Sequence, residues 1–471
     1  MITTGGPDPQ RVVVVGASLA GLRAAEALRD EGFTGRLTLV GDEDCEPYDR
    51  PPLSKVVLAG RLPADHTSLP ESRDIDAEWL LGVPADGLDL AARQVRLADG
   101  RRIEFDRLLI ATGTRARSWP DPGQAALDGV ISVRTRQDAA ALWERLAAGP
   151  RRVLVIGGGF TGSEIASICR ELDLPVTLAE RSAAPLAGAL GGAAGLGAAQ
   201  VQREHGVDLR CNVSVLALEG DGDGRVRRAR LSDGDLLEID VVVVALGAVR
   251  NVEWLAGSGV SADARGVVCD ATCRVFGADA MLLDDVFVAG DVARWPHTLY
   301  DGELIAVEHW GNAVDQARTA AHNMLCPPAE RRAHHPLPAF WSNQFGLNIK
   351  SVGVPPLAEQ VVITEGSVAA RRFVAAYGRA GRMVAAVAVN MPRTLPAYAD
   401  LIEERAPFPP DLHAADGPAE PMVVASGFPA PGQSTHSPNA TPTGPGPSAP
   451  ATVISPAGAD PRIPPGPTPL R

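Results

Sequence analysis

Two glycine-rich segments of this chain have the spacing that cradles the phosphates of a dinucleotide. The first contains Gly16, Ser18 and Gly21, between an apolar segment at residues 11–15 and a helical pattern at residues 19–31. Gly16 permits a tight turn, Gly21 permits close helix packing, and the helix N-terminus directs free N–H groups at a pyrophosphate. Serine replaces the usual middle glycine but is small enough for a phosphate to approach. The residues assigned to this turn are Gly16, Ser18, Leu19, Ala20 and Gly21.

A carboxylate follows the next predicted strand, at residues 36–40. An acidic side chain at this point of a dinucleotide fold accepts hydrogen bonds from the adenosine ribose. Asp42 and Glu43 both lie here. We favour Glu43 as the residue that binds the ribose.

The second glycine-rich segment, at residues 157–162, has all three glycines of the fingerprint. Glu180 closes the strand after it, and its carboxylate suits the free 2′-hydroxyl of NADH and repels the 2′-phosphate of NADPH. The adjacent Arg181 could accommodate that phosphate, so the sequence favours NADH without settling the choice. The residues assigned to the nicotinamide dinucleotide from this pattern are Gly157, Gly159, Phe160, Gly162, Glu180 and Gly247.

Two further segments follow predicted strands and could bring the chain back to the first dinucleotide site. The segment 111–113 follows a strand at residues 108–110, and Asp291 follows a strand at residues 286–289. A short acidic side chain at the carboxyl end of a parallel strand can bind sugar-like hydroxyls. Asp291 could also cap the N-terminus of a following helix, and the two roles are compatible. The residues added to the first site are Ala111, Thr112, Gly113, Gly290 and Asp291.

Strands alternate with helices around both glycine-rich turns, and this alternation determines the architecture. Each turn belongs to a strand–helix–strand unit, and such units build a doubly wound parallel sheet. One glycine-rich turn is weak evidence in a chain with 49 glycines, but two turns in the same context are strong evidence. We therefore predict an α/β fold with two Rossmann-like dinucleotide-binding domains.

The chain after the second dinucleotide domain changes character twice. Strands are predicted at residues 360–364, 371–377 and 383–390, with a hairpin turn at residues 378–382. Beyond them, Pro, Ala, Gly, Ser and Thr dominate, and such a segment cannot bury enough apolar surface to become ordered. The predicted domains are a first dinucleotide domain at 1–118 and 248–328, a second at 119–247, a small α+β domain at 329–408, and a disordered tail at 409–471.

The composition argues against several classes of protein. A net charge of −13 disfavours a general nucleic-acid binder, which needs a basic surface. No apolar run reaches the ~18 residues of a membrane helix, and no secretion signal is recognisable, so we expect a cytoplasmic protein. The six cysteines lack the spacing of an iron–sulfur cluster or a redox pair. We expect buried free thiols and no metal.

The segment Pro-Tyr-Asp-Arg-Pro-Pro-Leu-Ser-Lys at residues 47–55 resembles the signature of the ferredoxin reductases that serve oxygenases. These are FAD-dependent, NAD(P)H-oxidising flavoproteins of the putidaredoxin reductase and rubredoxin reductase type. The resemblance covers roughly residues 10–405, with its motifs in the family's order and spacing. The other segments that carry it are residues 111–113, 157–164, 290–293, 308–310 and 340–344.

The resemblance implies a glutathione-reductase-like, two-dinucleotide flavoprotein that binds FAD non-covalently and takes electrons from NADH in preference to NADPH. It implies that Arg50 contacts the FAD phosphates. It also implies that Lys55 and Glu164, the predicted catalytic residues, lie together beside the flavin and the nicotinamide. A fixed cation there would stabilise the negative charge of reduced flavin. Lys55 could instead be a solvated surface charge.

Two tryptophans complete the implied site. Trp310, next to His309, begins a predicted helix whose N–H groups could face the flavin, and both residues are assigned to the FAD site. Trp341 is the predicted electron exit at the exposed edge of the flavin. Either tryptophan could instead be an ordinary core residue. Asn343 stands where the family often has aspartate, which bears on contact with a partner.

The implied activity is electron transfer from NADH (or NADPH) through FAD to a one-electron iron–sulfur carrier, ferredoxin or rubredoxin. That carrier would serve an oxygenase such as a cytochrome P450. Flavin can accept a hydride and release single electrons, which is why it stands between the two. An NADH oxidase-type flavoprotein and a non-catalytic, flavin-bound NADH sensor or interaction protein stay open as alternatives. A disulfide reductase would need two cysteines near residues 47–55, where only Cys45 lies.

Overall fold

The computed structural model describes residues 9–410 and the two-residue strand Val424–Ala425. Its strands and helices build the predicted α/β fold. The helices are α1 (Leu19–Asp30), α2 (Pro122–Ala125), α3 (Arg136–Ala147), α4 (Phe160–Glu171), α5 (Ala187–Glu204), α6 (Trp310–Leu325) and α7 (Leu395–Glu403).

The strands fall into groups that follow the chain. The first group is β1 (Arg11–Val15), β2 (Arg36–Val40), β3 (Glu78–Leu80), β4 (Ala85–Asp89), β5 (Gln94–Leu97), β6 (Arg102–Glu104), β7 (Arg107–Ile110) and β8 (Thr114–Ala116). The second is β9 (Val130–Ser132), β10 (Val153–Ile156), β11 (Val176–Glu180), β12 (Asp208–Cys211), β13 (Val215–Gly220), β14 (Val226–Leu231), β15 (Leu236–Glu238) and β16 (Val241–Val244). The third is β17 (Ala248–Arg250), β18 (Ala262–Asp263), β19 (Gly266–Val268), β20 (Arg274–Phe276), β21 (Leu282–Val288), β22 (Ala293–His297) and β23 (Glu303–Ile305). The last is β24 (Ala339–Gln344), β25 (Leu347–Gly353), β26 (Gln360–Ser367), β27 (Arg372–Arg379), β28 (Arg382–Val389) and β29 (Val424–Ala425).

The first sheet has the strand order β20-β21-β7-β1-β2-β3. Strand β1 lies between β2 and β7 and is parallel to both, and its four valines are almost completely buried. Strand β21 comes from much later in the chain and pairs parallel with β7. Helices α1 and α6 pack together against this sheet in one apolar cluster. The first dinucleotide unit is therefore assembled from two separate stretches of the chain.

The second sheet, β12-β11-β10-β16-β9, is parallel throughout. Buried valines and leucines fill its central strands, as expected for a parallel sheet covered on both faces. Strands β13, β14 and β15 form a separate antiparallel sheet within this unit. The two-stranded sheet β17–β8 lies where the chain crosses between the two dinucleotide units.

The C-terminal sheet is antiparallel, with the order β24-β25-β28-β27-β26-β29. Helix α7 buries Tyr398 and Ile402 against its central strands. The hairpin is tighter than the sequence predicted, because β27 and β28 extend until only Ala380 and Gly381 separate them. Both residues have positive φ, +49° and +72°, as in the two-residue turns that match strand twist.

The structure describes only a few residues of the predicted disordered tail. Most of segment 409–471 lies outside the described residues. Within it, Val424–Ala425 forms β29, which pairs with the edge strand β26 at Gln360 and Val361. These two residues are strand, which the prediction for the tail did not include.

Helix α5 contains the glycine- and alanine-rich stretch of the second unit. Its backbone leaves the helical region at Gly191, where φ is +75° and ψ is 175°. Glycine adopts this conformation at little steric cost.

Among the described residues, no helix is both long and apolar enough to cross a membrane.

Candidate active site

The carboxyl ends of three neighbouring parallel strands bring the predicted segments of the first site together. Ile110 at the end of β7 aligns with Val15 on one side and Val288 on the other. The turn at 16–21, the segment 111–113 and Asp291 therefore emerge side by side. This edge of an open α/β sheet is where such folds bind their ligands.

The glycines of the first turn are required by close backbone contacts. Gly16 has a φ of +119°, and a Cβ on it would lie 2.1 Å from the carbonyl oxygen of Ala111. A Cβ on Gly21 would lie 1.9 Å from the carbonyl oxygen of Gly16. Neither position can carry a side chain without moving the backbone.

A cavity of about 360 Å³ opens at this edge, a size typical of small-molecule and cofactor sites. Gly21 packs behind the turn rather than in the cavity wall. Phe160, Glu164 and Trp341 reach the same wall from other parts of the chain. The residues predicted for FAD that line the cavity are Gly16, Ser18, Leu19, Ala20, Glu43, Arg50, Lys55, Ala111, Thr112, Gly113, Gly290, Asp291, His309 and Trp310.

Glu43 and Arg50 lie together in the cavity wall around Tyr48. The Glu43 carboxylate accepts hydrogen bonds from the Tyr48 hydroxyl and from the Arg50 guanidinium. Arg50 also donates to the Tyr48 hydroxyl at 2.7 Å. Burial raises the pKa of Tyr48, so its hydroxyl keeps its proton. The cluster presents a carboxylate suited to ribose hydroxyls next to a guanidinium suited to phosphate.

The two predicted catalytic side chains form an ion pair. Lys55 Nζ donates to Glu164 Oε2 at 2.7 Å, and Ser54 Oγ donates to the same oxygen at 2.5 Å. Glu164 is 5% exposed, and the Lys55 side chain is half-buried in the cavity wall. Lys55 is therefore not a freely solvated surface charge. Because α4 begins at the second glycine turn, this pair joins the two dinucleotide units.

Asp291 accepts hydrogen bonds from a residue that the sequence analysis did not identify. Arg134 Nη2 donates to Asp291 Oδ2 at 3.1 Å, and Thr114 Oγ1 donates to the same oxygen at 3.2 Å. The alternative role of Asp291 as a helix N-cap is wrong, since strand β22 follows it and His309 precedes α6 instead. Arg134 lines the cavity just after β9. Its position at a carboxyl strand end is the signal that could have identified it.

Trp310 is the first residue of α6, as predicted, and it is anchored to the 47–55 segment. Its Nε1 donates to Asp49 Oδ1 at 2.9 Å. Burial raises the pKa of Asp49. Asp49 lies inside the quoted signature, but its side-chain contact could not be read from the local pattern.

His309 is a half-buried residue of the cavity wall. Burial lowers the pKa of His309 to about 4, and its ring centre lies 5.2 Å from that of Phe340. Its buried Nδ1 has no hydrogen-bond partner among the described residues. A buried polar atom without a partner at a cavity wall fits a site that a polar ligand completes.

The second glycine turn repeats the geometry of the first. A Cβ on Gly157 would lie 2.4 Å from the carbonyl oxygen of Ala245, and one on Gly162 would lie 1.9 Å from that of Gly157. By contrast, a Cβ on Gly159 or on Gly247 would meet no atom of the described residues within 4 Å. Gly157 and Gly159 follow β10 and Gly247 follows β16, so they lie at the carboxyl edge of the second sheet.

Glu180 is fixed by two backbone donors at the end of β11. Gly158 N donates to one carboxylate oxygen at 2.6 Å, and Ser182 N donates to the other at 2.7 Å. These bonds hold the negative charge beside the glycine turn, at the position expected for the ribose of a dinucleotide.

Trp341 is an exposed residue of the edge strand β24, so it is not part of the core. Its exposed fraction is 39%, and one side of it lines the cavity. Lys350 of β25 is its cross-strand partner and is also exposed. Paired residues of antiparallel strands point to the same face. An aromatic ring at the cavity mouth therefore lies beside one of the two lysines of the chain.

The six cysteines are free thiols, but they are less uniformly buried than expected. Cys169, Cys269 and Cys273 are buried, and burial raises the pKa of each thiol. The half-buried cysteines are Cys45, Cys211 and Cys326.

Comparison with known proteins identifies the family of this chain. Residues 10–317 match the model of the family described as pyridine nucleotide-disulphide oxidoreductase, and residues 339–420 match the model described as reductase C-terminal. The chain is 34% identical over 408 residues to a rhodocoxin reductase of Rhodococcus erythropolis, covering 86% of this chain and 92% of that protein. It is 32% identical over 422 residues to the putidaredoxin reductase of Pseudomonas putida, covering 88% and 97%.

A solved structure has the same fold. The covalent complex of putidaredoxin reductase with putidaredoxin matches with a TM-score of 0.78 and 30% identity, over 86% of this chain and 94% of that chain. The resemblance drawn from the sequence is confirmed, and the chain belongs to the pyridine nucleotide-disulphide oxidoreductase family, among its ferredoxin reductases.

Proposed function

We propose that this protein transfers electrons from NADH through FAD to a one-electron iron–sulfur protein that serves an oxygenase. The observation that carries the proposal is the 2.7 Å contact between Lys55 and Glu164. Lys55 lies in the wall of the first dinucleotide cavity, and Glu164 lies in the helix that opens at the second dinucleotide turn. The pair therefore occupies the place where two dinucleotides would bring their redox rings together. Relatives named for rhodocoxin and putidaredoxin support the same acceptor class.

The cavity fits FAD because its polar groups match the parts of that cofactor. The turn at 16–21 would hold the pyrophosphate, with Glu43 on the adenosine ribose and Arg50 on the phosphates. Asp291, held by Arg134 and Thr114, would accept from the ribityl hydroxyls. The α6 N-terminus at Trp310 would place positive dipole ends at the pyrimidine part of the ring. FAD would supply the exchange between two-electron and one-electron transfer.

Glu180 supports NADH as the preferred donor. Its carboxylate is held by the backbone at Gly158 and Ser182 and cannot easily turn away from an incoming ribose. A 2′-phosphate placed there would meet a fixed negative charge, whereas a free 2′-hydroxyl would gain an acceptor. Arg181 is exposed and lies next along the chain. The backbone hydrogen bonds favour Glu180 as the residue that decides.

Lys55 and Glu164 would position the transfer of hydride and stabilise the charge that it creates. A half-buried ammonium near the cofactor acts more strongly than the same charge in water, because the surroundings are less polarisable. Glu164 holds Lys55 in one orientation and balances its charge when no extra electrons are present. The protein supplies position and charge rather than covalent chemistry.

The exposed pair of Trp341 and Lys350 supports an acidic iron–sulfur protein as the partner. The whole chain has a net charge of −13, so an acidic partner needs a local positive site to approach. Lys350 supplies a cation beside the aromatic ring at the cavity mouth. The partner would be a ferredoxin or rubredoxin, and a cytochrome P450 or another oxygenase would receive its electrons.

The proposed division of labour follows the domain boundaries predicted from the sequence. Residues 1–118 and 248–328 would bind FAD, residues 119–247 would bind NADH, and residues 329–408 would complete the cavity mouth. We also propose that the reaction takes place in the cytoplasm.

Rapid mixing tests the proposal in two stages. NADH should bleach the flavin absorbance of the anaerobic, FAD-loaded protein. Addition of an oxidised [2Fe–2S] ferredoxin or a rubredoxin should then restore the flavin absorbance and give multiple turnovers. Rapid turnover with oxygen alone would instead indicate an NADH oxidase. A single reduction without turnover by any iron–sulfur acceptor would indicate a sensor. Failure to bind FAD at all would refute the whole proposal.

A further inference from the structure

The Lys55–Glu164 pair has a third participant that comes from the C-terminal sheet. Ser342 of β24 is completely buried. Its Oγ donates to Glu164 Oε1 at 2.6 Å, the carboxylate oxygen that Lys55 and Ser54 leave free. The carboxylate therefore receives hydrogen bonds from the first dinucleotide unit on one oxygen and from the C-terminal sheet on the other.

The next residue on the same face of β24 supplies a second hydrogen bond to Ser342. Gln344 is buried, and its Nε2 donates to Ser342 Oγ at 3.1 Å. Since a carboxylate oxygen can only accept, Ser342 donates its proton to Glu164, and its oxygen is left to accept from Gln344. Gln344 thus donates to Ser342, Ser342 donates to Glu164, and Lys55 donates to the other oxygen of Glu164.

The surrounding contacts hold Ser342 firmly against α4. Phe345 N donates to Ser167 Oγ at 2.7 Å, and the rings of Phe160 and Phe340 lie with their centres 4.0 Å apart. These contacts lie on either side of Ser342 in the sequence and join β24, and the residue that follows it, to α4. The packing of these residues against α4 therefore holds the Ser342 hydroxyl next to Glu164.

We propose that Ser342 is a positioning residue that fixes the Glu164 carboxylate and, through it, the ammonium of Lys55. A buried carboxylate is costly unless its oxygens receive hydrogen bonds or a paired charge. Without Ser342, one oxygen of Glu164 loses its donor, and the side chain gains freedom to rotate away from Lys55. With the hydroxyl in place, Ser342 contributes to hydride transfer although it does not itself line the cavity. This inference rests on the proposed function.

The loss of Ser342 should also change the electrostatics of the cavity. The positive end of the hydroxyl dipole points at Glu164 and offsets part of its negative charge. Removing it makes the local potential more negative, which disfavours extra negative charge on a nearby cofactor. The midpoint potential of bound FAD should therefore fall, a result that a purely structural role would not produce.

The test compares variants of the FAD-loaded protein in anaerobic rapid mixing with NADH and in a potentiometric titration. Ser342→Ala should slow flavin bleaching about tenfold and lower the midpoint potential. Ser342→Thr keeps the hydroxyl and should stay close to the wild type. Ser351→Ala is the matched control, because Ser351 is a buried serine on the neighbouring strand, opposite Phe340. It should leave both readings unchanged.

A second background shows whether Ser342 acts through Glu164. In Glu164→Ala, which has no carboxylate to position, Ser342→Ala should cause no further slowing. The inference would be overturned if Ser342→Ala slowed bleaching by the same factor with and without Glu164. It would also be overturned if a folded Ser342→Ala protein kept the bleaching rate and the midpoint potential of the wild type. If Ser342→Ala does not fold, Ser342→Cys replaces it, because a thiol is a weaker donor of similar size. Ser342→Cys should slow bleaching and lower the midpoint potential by smaller amounts. An unchanged rate and potential in Ser342→Cys would contradict the inference. A wild-type protein that NADH does not bleach would refute the proposed function instead.

Discussion

At the scale of single residues, the site is governed by how its buried charges are satisfied. Glu164 is almost fully buried and receives hydrogen bonds from Lys55, Ser54 and Ser342. Asp291 and Glu43 are likewise held by arginines. Each carboxylate therefore has a fixed direction before any ligand binds, and such preorganisation lowers the cost of binding and of charge development.

The two lysines of the chain allow a matched comparison. Lys55→Met removes the cation in the cavity wall, and we expect it to slow NADH-driven flavin bleaching by about ten- to a hundredfold, because a preorganised charge is lost. Lys350→Met removes the exposed lysine beside Trp341 and should leave the bleaching rate unchanged. Anaerobic stopped-flow absorbance measures both. Equal rates for the two variants would show that Lys55 has no special role in hydride transfer.

The carboxylate of Glu180 should control the choice between NADH and NADPH. Glu180→Gln keeps an acceptor for the backbone N–H of Gly158 but removes the negative charge. We expect the ratio of kcat/KM for NADPH to that for NADH to rise about tenfold, which corresponds to ~1.4 kcal/mol of removed repulsion. Glu238→Gln, an exposed site in the same unit, serves as the control. An unchanged ratio in Glu180→Gln would show that Glu180 does not control this choice, and Arg181 would be the next residue to test.

At the scale of elements, the site exists because parallel strands end at one edge and helices begin there. Strands β1, β7 and β21 deliver the first turn, the 111–113 segment and Asp291 in register. Helices α1, α4 and α6 begin at or beside the cavity. Helix N-termini direct positive partial charge into the space where the negatively charged parts of dinucleotides would lie.

The glycines of the second turn offer a test of how tightly α4 is seated. Gly162→Ala would place a Cβ 1.9 Å from the carbonyl oxygen of Gly157, so α4 must shift away from its strand. We expect a loss of about 2 kcal/mol or more in the free energy of unfolding. Gly159→Ala, with no atom within 4 Å of its Cβ, should stay within about 0.5 kcal/mol of the wild type. Urea denaturation measures both, and similar values for the two variants would contradict the close packing of this turn.

At the scale of the whole molecule, separate stretches of chain depend on one another for their structure. The first sheet needs β20 and β21 from residues that follow the second unit, and the cavity mouth needs β24 from the C-terminal sheet. Buried polar residues join these stretches. His334 lies at such a junction, with its Nε2 3.0 Å from Asn312 Oδ1 of α6, and it is 1% exposed.

The buried histidines should make the stability of the whole protein depend on pH. Burial lowers the pKa of His334 from its ordinary 6.5 to about 3, and also lowers that of His297. Between the folded and the unfolded pKa, the unfolded chain binds a proton that the folded protein does not, so the free energy of unfolding falls as the pH drops from 7 towards 4. For one such histidine, the free energy of unfolding can fall by about 1.4 kcal/mol for each pH unit between its folded and unfolded pKa values.

Urea denaturation of the FAD-loaded protein at pH 7 and pH 5 measures this dependence. His334→Gln should weaken it, because the variant has no ring to protonate after unfolding. His66→Gln, which changes an exposed histidine, should leave the dependence unchanged. Equal pH dependence in wild type and His334→Gln would show that other groups are responsible.

Local sequence patterns predicted the architecture, and together with the resemblance to the ferredoxin reductases they predicted most of the cavity wall. The glycine turns and the strands that precede them are local patterns, because backbone conformation and apolar periodicity depend on neighbouring residues. The segment at 47–55 was identified by its resemblance to the ferredoxin reductases. Strand β1, strand β2 and the start of α6 were predicted at their observed positions. The hairpin at Ala380 was predicted in the right place but too long, since the extent of pairing depends on the partner strand.

The side chains that meet across the cavity could be identified only in the folded chain. Ser342 on Glu164, Arg134 on Asp291 and Asp49 on Trp310 join residues that are far apart in the sequence. Such contacts depend on how packed units fit against one another, and no local periodicity records that fit. They arise because burying apolar surface brings the units together, and the polar groups enclosed in the process must then find partners with one another.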